Sequence, residues 1–416
     1  MTMFLLRPSF GPWQSKPHGR GLGKARLALA PGPPARDARR HRGYTPFMSS
    51  VHHHPLRWDG WLPSVLGLGA ALATGLSATG WLALPVFVLL LLAVRAAVHH
   101  AETVAARVGE PFGTLVLALA VTIIEVALVA SVMVTADPPK VTLVRDTIHA
   151  VVMLVVTGLT GLCIVLAALR HREPGFNADG ATALLSVVGA MATLALILPN
   201  HVRAAPGGEF APVQVATVAG LCLGLWVVFV LVQTVLHKAY FIPAEDQAAL
   251  LNTAEAIEAV TGRPTPREAF LASGMLLLAL AGVVLLAKTV APAIGQSVAA
   301  AGLPPGVEGV VVAAIVLMPE TATALRAALA DRLQASLNLA LGSAIATVGL
   351  SVPILVGVAA WLGQPLELGI SPADTVLLVL AIVTGVLALS GRITNLLQGS
   401  VLLVIFAAWL LVVLVP

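Results

Sequence analysis

The chain has 416 residues, of which 58% are hydrophobic and 11% are charged, and its mean hydropathy is +0.94. Soluble domains carry about a quarter charged residues, so this composition excludes a water-soluble globular protein. The net charge of +4 comes mostly from the N-terminal segment and does not indicate a nucleic-acid partner. The apolar runs are continuous and about 20 residues long, which predicts an all-α polytopic membrane protein rather than a β-barrel.

Residues 1–58 differ from the rest of the chain, because they are strongly basic and contain a single acid, Asp37. The stretch PGPPARDARRHRG cannot pack a core, and no apolar run here is long enough for a signal peptide. We therefore expect a disordered cytoplasmic tail, with an organelle transit peptide as the alternative.

Eleven membrane spans are predicted after this tail. They lie near residues 62–80, 82–98, 113–135, 147–169, 181–199, 213–236, 270–290, 307–328, 338–361, 373–390 and 394–415. We expect the first two spans in residues 59–98 and the remainder of a first repeat in 99–236. A polar, acidic loop follows in 237–269, and a second repeat in 270–416. This pattern predicts two inverted five-helix repeats plus one extra N-terminal helix.

Basic residues predict the orientation, because they are enriched in cytoplasmic connections. With a cytoplasmic N-terminus, the inside connections hold Arg95, Arg107, Arg170, Arg172, Lys238, Arg263, Arg267, Arg326, Arg332 and Arg392. The outside connections hold Lys140, Arg145, Arg203 and Lys288. The sequence thus predicts a multi-pass protein of the inner (plasma) membrane, with the 237–269 loop inside and the C-terminus outside.

Two glutamates, Glu125 and Glu320, lie deep within predicted spans. A carboxylate near the bilayer centre costs roughly 2.5–3.5 kcal/mol on insertion scales, so it indicates function. Their spans are five apart, so the two helices run in opposite directions, as in an inverted repeat with an ion site at the midplane. The alternative for either residue is a protonated carboxyl that hydrogen-bonds a neighbouring helix.

Neighbouring polar residues are secondary candidates for the same site. Thr122 lies one turn before Glu125 and can share its face of the helix. Pro319 precedes Glu320 and can free carbonyls around Val316 and Leu317 to face an ion, although a simple kink is the alternative.

The ninth predicted span carries the polar residues Asn338, Ser343, Thr347 and Ser351. The last three are four residues apart and form one stripe, which a cation pathway explains better than helix packing alone. In the first half, Asp146 and His149 are three residues apart near the start of a span. They are candidates for a proton pathway, although Asp146 could simply cap its helix. Glu110 and Glu308 lie at the mouths of two spans and are further candidates for the proton pathway. The alternatives are surface carboxylates that recruit cations and solvated end charges.

No enzyme or cofactor is predicted. Paired intramembrane aspartates, a Ser–His pairing and an HExxH helix are missing from the sequence, and so is the Cys–His spacing of a zinc site. Cys163 and Cys222 fall within apolar spans and are expected to be packing residues.

Four segments carry a resemblance to a known family. They are GEPFGTLVLALAVTIIEVALVASVM, RDTIHAVVM, PETATALRAALADRLQASLNLALGSAIATVGLSVP and GRITNLLQGSVLLVIFAAWLLVV. From about residue 60 to the end, the chain resembles bacterial calcium/cation–proton antiporters of the cation/proton exchanger family, within the calcium/cation antiporter superfamily. The resemblance implies two inverted repeats, with Glu125 and Glu320 each giving one acid to a single cation site.

The chain departs from this family's typical eukaryotic pattern in its amide residues. Typical members carry Asn three residues before each acidic residue and Gln after the GSA block, where this chain has Thr122, Leu317 and Ala346. The pattern resembles the bacterial branch that also exchanges Na⁺ or K⁺.

The expected function is therefore a secondary active transporter that exports Ca²⁺, with Na⁺ or K⁺ as further substrates, in exchange for protons. One alternative is a Na⁺(K⁺)/H⁺ antiporter with little Ca²⁺ activity. A cation channel is the alternative of another class, although the sequence shows only sparse polar positions at mid-depth. The oligomeric state is not predicted.

Overall fold

The computed structural model describes residues 83–109, 112–136, 139–205, 207–241 and 264–416, and four isolated positions between residues 62 and 69. Its helices are α1 (Ala83–Val108), α2 (Phe112–Thr135), α3 (Leu143–His171), α4 (Ala178–His201), α5 (Pro212–Leu236), α6 (Pro266–Ala300), α7 (Gly306–Val316), α8 (Met318–Leu329), α9 (Leu333–Leu362), α10 (Pro372–Leu389) and α11 (Leu396–Leu414). The predicted all-α fold is confirmed.

Within the described ranges, nine helices are long and apolar enough to cross a membrane. Helices α7 and α8, which meet at a bend of 58°, make a tenth when they are taken as one span. These helices coincide with ten of the predicted spans to within about five residues, except at the C-terminal ends of α1 and α6, which each extend ten residues further. The first predicted span, near 62–80, lies almost entirely outside the described residues, so the total of eleven stays a prediction. The tail at 1–58 and most of the acidic loop lie outside them as well.

Several helices begin at residues that are well suited to capping. The Asn177 side chain accepts hydrogen bonds from the backbone of Asp179 and Gly180 at the start of α4. Thr265 starts α6 and Asn395 starts α11, each within a reciprocal capping box. Such side chains satisfy the backbone N–H groups that an N-terminus leaves unpaired, so the helix starts are encoded locally.

Hydrogen bonds between connections define two ends of the molecule. At the first end, Phe176 N donates to Arg392 O at 3.0 Å, and Arg170 donates to Leu329 O at 2.9 Å. We call this the basic end. At the other end, called the opposite end, Glu367 N donates to Val141 O at 3.2 Å and Leu368 N to Gly208 O at 3.1 Å.

These ends fix the direction of the helices that carry the two central glutamates. Helix α2 finishes at the opposite end, where Gln364 donates to Met133 O. Helix α7 starts at that same end, since Glu308 in its first turn pairs with Lys140. Helix α8 finishes at the basic end beside Arg170. The α7–α8 crossing therefore runs antiparallel to α2, as the inverted-repeat hypothesis requires.

Glycines allow the close helix contacts behind the site. A Cβ on Gly161 of α3 would lie 3.0 Å from the carbonyl oxygen of Gly399 in α11, and a Cβ on Gly309 of α7 would lie 2.8 Å from Asp146 in α3. Small residues at such crossings let helix backbones approach closely in a membrane. Helix α3 is thereby held between α11 and α7, while α1, α2 and α6 pack against one another.

Candidate cation site

Glu125 lies in the middle of α2 and is only 1% exposed. Its Oε2 accepts a hydrogen bond of 2.9 Å from the Ser351 hydroxyl, and Thr347 of the same helix interacts with this carboxylate electrostatically. Its Oε1 is buried without a hydrogen-bond partner among the described residues. One carboxyl oxygen is thus fixed by α9, and the other remains able to bind a ligand.

The two hydroxyls come from a π-helical turn of α9, residues Thr347–Ser351. Pro353 follows this turn and has no N–H to donate to the carbonyl four residues earlier, which favours a local departure from α-helical geometry. A Cβ on Gly349 would lie only 2.5 Å from Cβ of Trp226 in α5. Because Gly349 has no side chain, α5 can pack directly against the turn that holds Glu125.

Glu320 lies just after the bend between α7 and α8, in the first turn of α8. It is 8% exposed, and its Oε2 has no hydrogen-bond partner among the described residues. Helix N-termini favour negative charge, so the bend provides a place for this carboxylate at membrane depth. Glu320 is also near enough to Glu125 for the two carboxyl groups to interact electrostatically.

The bend between α7 and α8 does not leave the Leu317 carbonyl without a hydrogen bond, although the sequence predicted that it would. Thr321 N donates to Leu317 O at 2.8 Å, so the prediction of a free Leu317 carbonyl is wrong. Pro319 interrupts the helix, but the chain resumes hydrogen bonding within one turn. The oxygen atoms that the described structure offers most clearly as ligands are those of the two carboxylates and the neighbouring hydroxyls.

A cavity of about 400 Å³ lies between these carboxylates and the basic end. Glu320 lines it, and so do all four secondary candidates, Thr122, Asn338, Ser343 and Thr347. Thr122 directs its hydroxyl hydrogen to Ala118 O at 2.9 Å, which leaves its oxygen lone pairs available. The Ser343–Thr347–Ser351 stripe thus runs from the cavity to Glu125.

Asn338 lines the same cavity but has structural partners. Its Nδ2 donates to Phe241 O, and its Oδ1 accepts from Gln334 Nε2 at 2.8 Å. Gln334 in turn accepts from Asn177 N at 2.6 Å. These bonds tie α9 to the connections at the basic end, so packing accounts for Asn338 without a cation.

Asp146 and His149 are far from this cavity, near the opposite end, and each has its own partner. Asp146 accepts from Thr142 and Arg145, both at 2.9 Å. His149 Nδ1 lies 3.9 Å from Asp374 Oδ1, and the ring packs edge-on against Trp409. The expectation that Asp146 caps α3 is wrong, since Thr142 occupies the N-cap position. Their role in a proton pathway stays a prediction.

Glu308 was expected to be a surface carboxylate or a solvated end charge, and both expectations are wrong. It is 3% exposed and pairs with Lys140, because α6 approaches closely through Gly295, which lies beside both side chains. Burying a charge is costly unless it is paired. Glu110 lies outside the described residues.

Glu102 is a cavity residue that the sequence reasoning missed. The second predicted span ended at residue 98, whereas α1 continues to Val108. The polar stretch HHAET lowers the local hydropathy over the last turns of this helix, so the hydropathy pattern did not predict them. Both cysteines are free and buried, as expected.

The ligand chemistry of the site is restricted to oxygen. The described part of the chain holds no group of three or more His, Cys, Asp and Glu residues that could bind a metal ion. Two carboxylates with hydroxyls suit a hard cation such as Ca²⁺ or Na⁺. Two acids alone also suit an ion that must be released after each passage.

The sodium/calcium exchanger protein profile matches residues 78–235 and, separately, 271–415. The chain belongs to this family. Its members are transporters, so the chain is a membrane transporter of cations and not an enzyme. The two matched segments coincide with the two predicted repeats.

Two bacterial relatives cover most of the chain. The protein y4hA of Sinorhizobium fredii (strain NBRC 101917 / NGR234), whose name describes an ionic transporter in provisional terms, is 43% identical over 78% of this chain and 86% of its own length. The sodium-potassium/proton antiporter ChaA of Escherichia coli (strain K12) is 30% identical over 76% of this chain and 84% of its own.

Solved structures show the same fold at low sequence identity. The H⁺/Ca²⁺ exchanger CAX superposes with a TM-score of 0.62, at 15% identity, over 84% of this chain and 87% of that one. Native YfkE gives 0.61, also at 15% identity, over 85% and 99%. The polytopic exchanger fold is thereby established for this chain.

Proposed function

We propose that this transporter exchanges a cation for protons and that Glu125 and Glu320 together bind either one. The observation that carries the proposal is a pair of interacting, buried carboxylates, each with an oxygen that has no described hydrogen-bond partner. Such a pair is stable when it holds protons or a cation. Cation and protons therefore compete for the same oxygens, and the pair titrates as a unit.

Because the cation and the protons compete for one site, the transporter exchanges them and does not let either flow through alone. A charged, empty pair of carboxylates is costly at membrane depth, so the site changes sides only when it carries a cation or protons. The cavity lies between Glu320 and the basic end, so this conformation gives access from that end. Alternating access then requires a second conformation with access from the opposite end.

The basic end holds Arg170, Arg172, Arg332 and Arg392 at its connections, and basic connections favour the cytoplasm. We infer that the cavity faces the cytoplasm of the cell and that the protein resides in the inner membrane. Inward proton flow then drives cation export.

Ca²⁺ is the proposed substrate, because two carboxylates neutralise a divalent ion. The second candidate is Na⁺(K⁺)/H⁺ exchange with little Ca²⁺ activity. It is supported by the 30% identity to a sodium-potassium/proton antiporter, against 24% to the Ca²⁺/H⁺ antiporter of Synechocystis. The replacement of the family's typical amide residues by Thr122, Leu317 and Ala346 agrees with it.

Everted vesicles with a pH-sensitive dye test both proposals. Addition of Ca²⁺, Na⁺ and K⁺ in turn should release protons from the vesicle interior for each transported cation. Glu320→Gln and Glu125→Gln should each abolish the signal, because Gln keeps the size and removes the charge. Their expression and membrane insertion should stay normal. Exchange at the unmodified rate in either variant would refute the proposed site.

A further inference from the structure

The cavity contains a second acid that the proposed exchange site does not use. Glu102 lies in the last two turns of α1, toward the basic end, and lines the cavity together with Glu320. Its side chain is exposed to the cavity, whereas Glu320 is almost fully buried. The two carboxylates are close enough to interact electrostatically. A cation that enters from the basic end therefore passes the more exposed carboxylate of Glu102 before it reaches the buried one.

The charged residues among the described lining of this cavity are all acidic. No lysine, arginine or histidine is among the described residues that line it, and Glu102 has no ion pair within the described part of the chain. The remaining polar lining is neutral and includes Gln233 and Thr323. A cleft lined by one sign of charge with apolar walls concentrates counter-ions and speeds their entry.

One carboxyl oxygen of Glu320 is a candidate for the next atom that the cation contacts after Glu102. This Oε2 is buried and unpartnered, and Glu320 is on the wall of the same cavity. The cavity therefore joins an exposed acid, which can hold a hydrated cation, to a buried acid that needs a ligand.

We propose that Glu102 is a recruitment site that binds a hydrated hard cation, preferably divalent, at the cavity mouth and passes it to Glu320. The inference rests on the proposed exchange function. Glu102 acts by charge and distance rather than by dehydrating the ion. Its removal should therefore reduce cation capture while the exchange step continues.

The test is the cation dependence of exchange in everted vesicles, with Ca²⁺ as the probe, or Na⁺ if the panel shows no Ca²⁺ activity. Glu102→Gln should raise the apparent KM for the cation by about threefold to tenfold, the range expected from the loss of a partly screened attraction. The maximal rate should stay within about twofold. Glu102→Asp should keep most of the affinity, because it keeps the charge.

Ionic strength separates recruitment from ligation. In about 0.5 M choline chloride, the difference between Glu102→Gln and the unmodified protein should shrink, because salt screens interactions between exposed charges. Glu173→Gln is the matched control, since Glu173 is an exposed acid in a connection at the basic end, outside the cavity. It should leave KM unchanged.

Each other outcome overturns the inference. An unchanged KM in Glu102→Gln would show that Glu102 does not recruit the cation. An increase in KM that persists in high salt would show that Glu102 is a direct ligand of the cation instead. Complete inactivity, with Glu102→Asp also inactive and both proteins monodisperse, gives Glu102 an essential role in the exchange step. If Glu320→Gln is inactive while Glu102→Gln is normal, the recruitment idea fails and the exchange function stands. If Glu320→Gln is fully active, both fail.

Discussion

At the residue scale, the central feature is that only one of the two carboxyl oxygens of Glu125 has a hydrogen-bond partner among the described residues. Ser351 fixes Oε2, while Oε1 has no described partner. A hydroxyl that donates to a carboxylate stabilises its charged form. Ser351 therefore helps to keep Glu125 ready for a cation, and it holds the carboxylate in a defined orientation.

Ser351→Ala should weaken cation binding without abolishing exchange. A hydrogen bond to a charged group contributes about 1.5–3 kcal/mol, and Thr347 still interacts with the same carboxylate. We expect the apparent KM for the cation to rise by about tenfold at a fixed pH. Ser186→Ala is the matched control, because that hydroxyl only bonds back to Thr182 O in its own helix. Equal KM values in the two variants would contradict the role of Ser351.

At the scale of elements, the site depends on two local departures from α-helical geometry. The bend between α7 and α8 was foreseeable, because Pro319 stands within an apolar run. The π-turn Thr347–Ser351 was not foreseeable. Four-residue spacing predicted that its hydroxyls share a face, but only tertiary packing decides where a turn widens. The close contact between Trp226 and Gly349 is part of that tertiary packing.

Gly349→Ala should disturb this turn and therefore the site. Its Cβ would lie 2.5 Å from Cβ of Trp226, and overpacking a buried contact costs about 1–3 kcal/mol. We expect a lower thermal unfolding temperature in detergent and a reduced exchange rate. Gly357→Ala, in the same helix with nothing within 4 Å of the new Cβ, should change neither. Parallel behaviour of the two variants would show that the contact is unimportant.

At the scale of the whole molecule, the two ends should lie on different sides of the membrane. Cysteines placed singly at His237 and Ala204 can report this in a background without Cys163 and Cys222. Both positions are exposed, the first at the basic end and the second at the opposite end. An impermeant thiol reagent applied to intact cells should label the Ala204 position and spare the His237 position. The reverse pattern would invert the proposed direction of transport.

Much of the architecture could be predicted from the sequence, because the bilayer imposes long apolar helices and makes buried acids conspicuous. The sequence predicted the burial of Glu125 and Glu320 in this way, and the antiparallel helices that carry them followed from the number of spans. Local hydropathy could not reveal partners that are distant in the chain. Glu308 is buried because Lys140, 168 residues away, pairs with it. Asn338 likewise belongs to a network with Phe241 and Gln334.

The most direct test of the central claim is proton release when the purified protein binds a cation. In a weakly buffered detergent solution with a pH dye, addition of the transported cation should release protons, and the signal should change with the starting pH. Glu125→Gln combined with Glu320→Gln should remove the release, because both competing groups are then gone. Cation binding without proton release across about pH 6 to 9, where buried carboxyls can titrate, would contradict competition at this pair. Undiminished release from the double variant would do so as well.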